Sequence, residues 1–417
     1  MSILDTLKAL DESRGEDIER WFAAKRAEAA PFFTTSVDLR HSGLRLAPVD
    51  TNLFPAGFNN LSPAARARAS RFIKRFLEEQ YPDAKRILIV PENHTRNLGY
   101  LENLATLLSL FETLGIEVQL GSLAAQAGHP VELEAPGGRR LTEYPLKRDG
   151  DRLLLENGFA PDLIVINNDM TAGAPDMLKN LRQPVLPPVN MGWWQRRKSV
   201  HFAAYKTLAE EFAAQFSIDP WLICAGFHRC GLVDFKQQTG LDCVAAGVDE
   251  VLNHMREKYA EYGIAEEPYV YVKAESGTYG MGVMTARSAG DMLDLNKKER
   301  NKMQVIKEGT KNSEVIIQEG IPTIDTVSGK PAEPMVYIID GVPVGGMYRV
   351  NGQRDAYGNL NAAGMEFTGM CDEAEDECGQ WKSVQNCHFR SFGIVAAIAA
   401  LAAAREDYSV GKEGDGI

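Results

Sequence analysis

Residues 269–287 read YVYVKAESGTYGMGVMTAR. The opening residues alternate aromatic and β-branched side chains up to Lys273, which predicts a strand. Gly277, Gly280 and Gly282 predict a loop, and the apolar residues that follow predict a second strand. Glycines let backbone N–H groups approach a phosphate closely, and Lys273 places a positive charge beside them. The segment therefore predicts a hairpin that can fold over a nucleotide as a lid.

Two familiar nucleotide-binding motifs do not fit this segment. A Rossmann fingerprint or a P-loop leads directly from its glycines into a helix, whereas this loop leads into a strand and contains no GK[ST] sequence. A glycine-rich hairpin taken alone is as often a simple turn. The lid interpretation therefore needs partner residues elsewhere in the chain.

A further apolar strand is predicted downstream of the lid. Residues 314–319 read EVIIQE and end in Gln318 and Glu319. The backbone and side chains of these two residues can meet an adenine and the ribose hydroxyls. The alternative is an edge strand whose polar end is simply solvated.

A hairpin and a turn follow this strand. Residues 334–349 carry Asp340 and Gly341 between two apolar runs, which is a strong hairpin signal, and they end in Arg349. Residues 358–364 then read GNLNAAG. These segments can bring an arginine and asparagines to the same site as the lid.

The first half of the chain predicts an open α/β sheet. Residues 86–90, 116–120 and 161–166 are apolar runs separated by helical stretches. Ligands of such sheets bind beyond the carboxyl ends of the strands. Polar residues follow two of these runs and are candidate ligand contacts, although helix caps and turns use the same residue types. They are Glu92, Asn93, His94, Arg96, Asn167, Asn168 and Asp169.

Two other segments in the first half of the chain give less specific predictions of structure and function. Residues 45–60 carry Asp50 and several asparagines among Pro and Gly, which suits either a substrate loop or a surface connection. Prolines in residues 184–188 mark a break, and we expect a domain boundary near residues 190–196.

Composition limits the class of protein. The chain has 417 residues, 44% of them hydrophobic and 24% charged, with a formal net charge of -12. Two or three domains are expected from this length. The acidic balance argues against a general nucleic-acid or anionic-membrane role, because phosphate binding relies on clustered Lys and Arg.

The ends of the chain predict a cytosolic protein. Residues 1–30 have the pattern of an amphipathic helix rather than of a signal peptide. Residues 392–404 are too few to span a bilayer and suit a buried helix. The six cysteines predict free thiols in a reducing compartment. Cys371, Cys378, Cys387 and His388 lack the spacing of a zinc knuckle, so no metal is predicted there.

The order of these motifs resembles the ATP-grasp superfamily, particularly glutathione synthetase, over residues 196–364. The shared pattern is a basic helix with Lys198, a strand lysine before the glycine-rich hairpin, a strand ending in two polar residues, a DG hairpin that returns an arginine, and the GNLNAAG turn. With PENHTRNLGYLENL from residue 91 and GWWQRRKSVHF from residue 192, the whole chain is similar to the proteobacterial ATP-grasp type of glutamate-cysteine ligase.

The resemblance implies a fold class and a set of site residues. The expected fold is α/β (α+β), with an ATP-grasp domain in residues 196–417, its lid near 269–287, and an open α/β pre-ATP-grasp and substrate domain in residues 1–195. The resemblance implies that Lys198 and Lys273 hold the ATP phosphates and that Ser276, Gly277, Gly280 and Gly282 cover them. It implies that Gln318 and Glu319 contact the nucleoside. Arg349, Lys273 and Asn359 would act on the transferred phosphate and the acyl phosphate.

The implied reaction is the first step of glutathione synthesis. ATP, with Mg²⁺, phosphorylates the γ-carboxylate of L-glutamate, and the amine of L-cysteine displaces phosphate. The expected partners are these small molecules, and neither nucleic acid nor membrane is expected to bind. A homo-oligomer is a further possibility. The alternatives are another ATP-grasp carboxylate-amine ligase and a non-catalytic nucleotide-binding module.

One departure leaves the metal ligands unknown. ATP-grasp enzymes usually place an Asp and a Glu-x-Asn on late strands, and the sequence lacks that signature. Asn361, Glu366 and the acidic residues 372–377 are available oxygen donors. An acidic tract of this kind is more often a solvated loop.

Overall fold

The structure is a computed structural model that describes residues 2–92, 97–277, 281–304, 312–370 and 388–406. The helices of these ranges are α1 (Ile3–Glu28), α2 (Pro63–Gln80), α3 (Leu98–Glu112), α4 (Lys198–Phe216), α5 (Leu241–Tyr262), α6 (Gly290–Leu293), α7 (Lys297–Gln304) and α8 (Phe389–Ala403). The strands are β1 (Thr34–His41), β2 (Leu46–Asn52), β3 (Arg86–Pro91), β4 (Glu117–Ser122), β5 (Val131–Glu134), β6 (Arg140–Asp149), β7 (Arg152–Leu155), β8 (Leu163–Asn167), β9 (Val185–Leu186), β10 (Phe227–Cys230), β11 (Val270–Ala274), β12 (Val283–Ala286), β13 (Val315–Glu319), β14 (Thr326–Val327), β15 (Lys330–Ile339), β16 (Val342–Val350) and β17 (Glu366–Gly369).

The first sheet is the open α/β sheet that the sequence predicts. Its order is β5-β6-β4-β3-β8-β9, with β7 beside β6. Strand β3 runs parallel to both β4 and β8. Ile87 and Ile89 pack into one core with α2 and α3, while Leu88 and Val90 pack into another. Both faces of β3 are therefore covered, which explains its uninterrupted apolar sequence.

The second sheet joins the two ends of the chain. Its order is β17-β16-β15-β1-β2, with β14 beside β15. Strand β1 pairs antiparallel with β15, and Thr34 lies opposite Ile339. Strands β15 and β16 form the predicted hairpin, and Asp340 and Gly341 at its turn have φ of 50° and 70°. The sheet thus combines strands from both sides of the boundary predicted at residue 195.

Two helices cover this second sheet. Helix α1 begins at a Ser2 cap and buries Ile3, Leu7 and Phe22, as an amphipathic helix should. The alanine-rich helix α8 is almost wholly buried in the same core, as predicted for residues 392–404. Within the described ranges, no helix combines the length and the apolar character needed to cross a membrane.

The third sheet carries the glycine-rich hairpin. It is antiparallel, with the order β10-β13-β11-β12. Strands β11 and β12 pair antiparallel with Lys273 opposite Val283, as predicted for the two strands of this hairpin. Residues 278–280 of its loop lie outside the described residues. One face of the sheet packs on α5 through Val270, Val272 and Ile317. Lys273 alternates with these residues and therefore points to the other face.

Candidate active site

A pocket of about 600 Å³, including its open mouth, lies between the second and third sheets. The pocket is lined by Asp38, Arg40, Val49, Asp50, Lys198, Tyr271, Lys273, Ala274, Gly277, Met281, Val283, Glu333, Arg349, Asn359 and Asn361. Residues from the first 50 positions thus face residues from beyond position 330.

Lys198 reaches the pocket from the start of α4. Its Nζ donates to Asp50 Oδ1 at 3.0 Å and to the carbonyl oxygen of Gly277 at 3.1 Å. The ammonium also lies 3.9 Å from the ring centroid of Trp193. Burial raises the pKa of Asp50, but Lys198 and Lys273 outweigh that effect and the net pKa is lowered. Lys198 therefore connects α4 with β2 and with the base of the lid.

Lys273 is buried beside this pair. Its Nζ donates to Gln318 Oε1 at 2.7 Å and to the carbonyl oxygen of Val49 at 3.0 Å. Burial lowers the pKa of Lys273 to about 7, although Asp50 favours the charged form. The amine therefore titrates near neutral pH, and an anion bound beside it would raise its pKa.

Arg349 lies between two buried carboxylates. Its Nη1 donates to Asp38 Oδ2 at 2.8 Å and also to Glu333. The second oxygen of Glu333 pairs with Arg40 Nε at 2.7 Å. Burial raises the pKa of Asp38 to about 6, and the neighbouring arginine offsets part of that effect. Burial also raises the pKa of Glu333, but the two arginines outweigh it and the net pKa is lowered.

Two buried donors beside Lys273 and in the pocket have no hydrogen-bond partner among the described residues. They are Nε of Arg349 and Nε2 of Gln318. Buried polar groups are rarely left unpaired, and each needs an acceptor from solvent or from a ligand. The pocket therefore suits a ligand rich in oxygen acceptors, such as a nucleotide with its phosphates.

The lid glycines have the backbone conformations that a tight loop requires. Gly277 and Gly282 have φ of 95° and 61°, which side chains rarely adopt. Gly277 lines the pocket, while Ser276 is half-buried beside it. Gly280 lies outside the described residues. The lid roles of these four residues stay predictions.

Asn359 and Asn361 also line the pocket. Arg40 anchors their turn, because its guanidinium donates to the carbonyl oxygens of Gly358 at 2.7 Å and Ala356 at 3.1 Å. This buried arginine, together with Tyr271, holds the start of the GNLNAAG segment at the site. Glu366 is exposed on β17 and does not line the pocket.

Gln318 and Glu319 lie on opposite faces of the third sheet. Gln318 pairs with Tyr271 and faces Lys273, whereas Glu319 pairs with Val270. The Glu319 side chain is fully buried, and its carboxylate accepts from Arg45. The Glu319 carboxylate could contact a nucleoside only if it left Arg45 and turned to the other face of the sheet. The backbone of Glu319 could make such a contact without that change.

Sequence reasoning missed three charged residues of the pocket. Asp38, Arg40 and Glu333 are buried inside β1 and β15. Charged residues within otherwise apolar strands are rarely buried without a partner or a function. The charged residues that interrupt the apolar pattern of these strands were the sequence signal that could have identified them as part of a site. Asp50, which the sequence placed in an ambiguous segment, lines the same pocket.

The polar ends of the parallel strands lie at one edge of the first sheet. Glu92 Oε1 accepts from the backbone N–H of Asp169 at 3.2 Å, and the carbonyl oxygen of Asp169 accepts from Trp193 N–H at 2.9 Å. The Trp193 indole donates to Asn52 Oδ1 at 3.1 Å, two residues from Asp50. This edge is thereby linked to the pocket. Asn93, His94 and Arg96 lie outside the described residues.

The antiparallel second and third sheets, with the glycine-rich hairpin and the buried lysines between them, have the arrangement predicted for an ATP-grasp fold. The comparison with protein families then shows a ligase. The family model described as glutamate-cysteine ligase matches residues 10–407. The chain belongs to this glutamate-cysteine ligase family.

Solved structures give a concordant result. The chain is similar to a protein from Methylobacillus flagellatus KT named "Putative gamma-glutamylcysteine synthetase", with 43% identity, a TM-score of 0.87, and coverage of 97% of this chain and 96% of that one. D-cycloserine synthetase DcsG matches with 13% identity and a TM-score of 0.39, and the match covers 77% of this chain and 82% of that one. D-alanyl-alanine synthetase A from Vibrio cholerae matches with 11% identity and a TM-score of 0.33, and the match covers 71% of this chain and 77% of that one. The last two similarities are too low to carry an argument. No curated protein matches the chain significantly.

Proposed function

We propose that the pocket between the second and third sheets joins L-glutamate to L-cysteine through a γ-glutamyl phosphate, which is the first step of glutathione synthesis. The observation that carries the proposal is the convergence of Lys198, Lys273 and Arg349, from three different elements, on one pocket. Membership of the glutamate-cysteine ligase family supports the choice of substrates.

The reaction needs two steps because hydroxide is a poor leaving group. An oxygen of the γ-carboxylate of glutamate attacks the γ-phosphorus of ATP, and the bond to the ADP oxygen breaks. The amine of cysteine then attacks the acyl carbon, the new C–N bond forms, phosphate leaves, and the amine loses a proton. Phosphoryl transfer requires little covalent chemistry from the protein, so positioning and charge supply most of the rate.

The lysines supply that charge. Lys198 and Lys273 lie near the base of the lid, where the ATP phosphates would bind. Lys273 would take up a proton as the phosphates bind, because their charge favours its ammonium form. The lid, which begins at Gly277, would exclude water and so protect the acyl phosphate from hydrolysis.

Arg349 and Asn359 would contact the transferred phosphate and the acyl phosphate. Arg349 is held in place by Asp38 and Glu333, while its Nε has no partner in the part of the chain that the structure describes. A fixed guanidinium with a free donor can stabilise developing charge without reorganising. The nucleoside contacts of Gln318 and Glu319 belong to the same proposal.

Magnesium would enter with ATP. Carboxylate and amide oxygens are the ligands that Mg²⁺ prefers, and Asp50, Asn359 and Asn361 offer them in the pocket. When bound, the ion would neutralise phosphate charge. The acidic residues 372–377 lie outside the described residues.

The decisive experiment measures product formation by the purified chain with ATP, Mg²⁺ and a panel of amino-acid pairs. We expect ADP and phosphate release that requires both L-glutamate and L-cysteine, with one γ-glutamylcysteine formed per ATP. Turnover with a different pair would indicate another ligase of the same fold. Nucleotide binding without turnover of any pair would indicate a non-catalytic module.

The proposal also includes a cytoplasmic location and small-molecule partners only. The net charge of -12 supports the exclusion of nucleic acid. A homo-oligomer remains a prediction that sedimentation of the purified chain would test.

A further inference from the structure

Three metal-binding side chains meet at the edge of the third sheet, outside the pocket. One ring nitrogen of His228 and the sulfurs of Cys230 and Cys243 all lie within 4.8 Å of one another. His228 and Cys230 belong to β10, and Cys243 lies in the first turn of α5. The cluster therefore joins a strand to a helix.

The segment between the two cysteines is held in place. Asp234 and Thr239 exchange two backbone hydrogen bonds, of 2.9 and 3.1 Å, which close the connection between β10 and α5. Cys230 is buried, whereas Cys243 is exposed at the helix surface. The hydrogen-bonded connection thus brings Cys230 and Cys243 together, and Cys243 is accessible to solvent.

The imidazole of His228 is oriented by α5. Its Nδ1 lies 3.0 Å from Glu250 Oε2. A Cβ atom at Gly247 would come within 2.7 Å of the ring, so the ring packs directly against a helix position that only glycine leaves open. Metal-binding histidines usually hold a carboxylate on the nitrogen that does not bind the ion. In His228 the carboxylate of Glu250 lies at Nδ1, so Nε2 is the nitrogen left for an ion.

We propose that His228, Cys230 and Cys243 bind one Zn²⁺ ion, with Glu250 as the hydrogen-bond partner of the imidazole. One nitrogen and two thiolates suit this borderline-soft ion, and three protein ligands leave a fourth position for water. Both thiols lose their protons to the solvent when the ion binds.

The sulfurs must move slightly for this geometry. They are 2.7 Å apart, whereas two thiolates on a tetrahedral zinc lie about 3.8 Å apart, given Zn–S bonds of about 2.3 Å. The proposal requires the exposed Cys243 side chain to rotate away from Cys230. A disulfide would need the opposite movement, and peptide mapping of the zinc-treated protein distinguishes the two.

The site adjoins the lid through one intervening strand. Cys230 pairs with Val315, and Val315 pairs with Ala274, the last residue of β11. Binding an ion here would fasten α5 to β10 and stiffen the sheet that carries the lid.

The test uses the full chain, reduced and stripped of metal, with Co²⁺ as the spectroscopic probe. We expect one Co²⁺ per chain, with the intense visible bands of tetrahedral coordination and a thiolate charge-transfer band, and displacement by Zn²⁺. Cys243→Ser and His228→Asn should weaken binding at least a hundredfold. Glu250→Gln should weaken it about 10- to 100-fold, as loss of such a carboxylate does elsewhere.

Two controls separate this site from other groups. Asp249→Asn removes the neighbouring exposed acid of α5 and should not change the affinity. Replacing Cys371, Cys378 and Cys387 with Ser should leave the spectrum unchanged, because the proposal assigns the ion to His228, Cys230 and Cys243 alone.

Three outcomes would overturn the proposal. They are the absence of a tetrahedral cobalt spectrum in the reduced chain, a spectrum that survives Cys243→Ser, and peptide mapping that finds a Cys230–Cys243 disulfide in zinc-treated protein. Ligase activity, retained in Cys243→Ser, would show that this variant is folded.

Discussion

At the scale of single residues, Lys273 carries most of the proposed chemistry. It is buried in the pocket, and burial lowers its pKa to about 7. The loss of one well-placed charge-stabilising donor typically costs about 10² or more in rate. We expect Lys273→Ala to lower kcat at least a hundredfold in a coupled ADP-release assay, with the fold intact by circular dichroism. Lys298→Ala, at an exposed position of α7, is the control and should behave like wild type.

The same lysine predicts proton uptake on nucleotide binding. At pH 8 the amine is mostly neutral in the empty pocket, and bound phosphates should restore its charge. Calorimetry of a non-hydrolysable ATP analogue with Mg²⁺, in buffers of different ionisation enthalpy, should show uptake of up to one proton at pH 8 and less below pH 7. Lys273→Arg should show little uptake, because arginine stays protonated. Equal buffer dependence in both proteins would exclude Lys273 as the source.

The lowered pKa of Lys273 also determines how this residue makes the free energy of unfolding depend on pH. Between pH 7 and 10.5 the unfolded chain keeps a proton that folded Lys273 has lost. This group therefore makes the free energy of unfolding rise with pH over that range.

At the scale of elements, the ion pair of Arg45 with Glu319 connects the β1–β2 hairpin to the third sheet. Arg45 is buried and also donates to the carbonyl oxygens of Trp221 at 3.1 Å and Cys224 at 2.7 Å. Removing one partner of a buried pair costs about 3–5 kcal/mol, because the other charge stays buried and unpaired. We expect Glu319→Gln to lose that much stability in urea unfolding, with little change in KM for ATP.

Glu366→Gln is the control for this variant, since it removes an exposed acid and should change stability by less than about 0.5 kcal/mol. A large rise in KM for ATP with unchanged stability in Glu319→Gln would instead support a nucleoside contact of its carboxylate.

The lid offers a test that compares two glycines. Gly277 and Gly263 both have positive φ, of 95° and 64°, but only Gly277 lines the pocket. Alanine is strained at either position by about 1–2 kcal/mol. We expect Gly277→Ala alone to lower kcat about 10- to 100-fold through misplacement of the lid. Phosphate release should also exceed dipeptide formation, because a loose lid admits water. Equal kinetic effects in the two variants would argue against a lid role.

At the scale of the whole molecule, the N-terminal strands complete a sheet that lies mostly at the other end of the chain. Strand β1 pairs with β15, and α1 packs in the same core as α8. A fragment of residues 196–417 would expose the edge of β15 and the face of α8. We expect it to show no cooperative thermal unfolding by itself and to recover it when co-expressed with residues 1–195. Cooperative unfolding of the isolated fragment would show that residue 195 is a true domain boundary.

Local sequence predicted several elements because their signals are short-range. The glycine-rich hairpin, the Asp340-Gly341 turn and the apolar strands of the parallel sheet depend on neighbouring residues alone. Lys273 was identified for the same reason, since it ends a recognisable strand before the glycines.

The rest of the site depended on contacts between distant segments. Asp38 and Arg349 are bonded across 311 positions of sequence, and Lys198 and Asp50 across 148. No local pattern encodes such a pairing, because it forms only when the tertiary structure brings distant elements of the chain together. The opposite orientation of Glu319 likewise follows from strand register, and a single sequence does not reveal that register.

The sequence by itself determined the lid hairpin, the lysine before it and the alternation of strands and helices, since backbone preference and hydrophobic periodicity act between near neighbours. Only the tertiary structure decided which charges share the pocket. It placed Arg349 between Asp38 and Glu333 and lowered the pKa of Lys273, because desolvation and ion pairing depend on what surrounds a group in space.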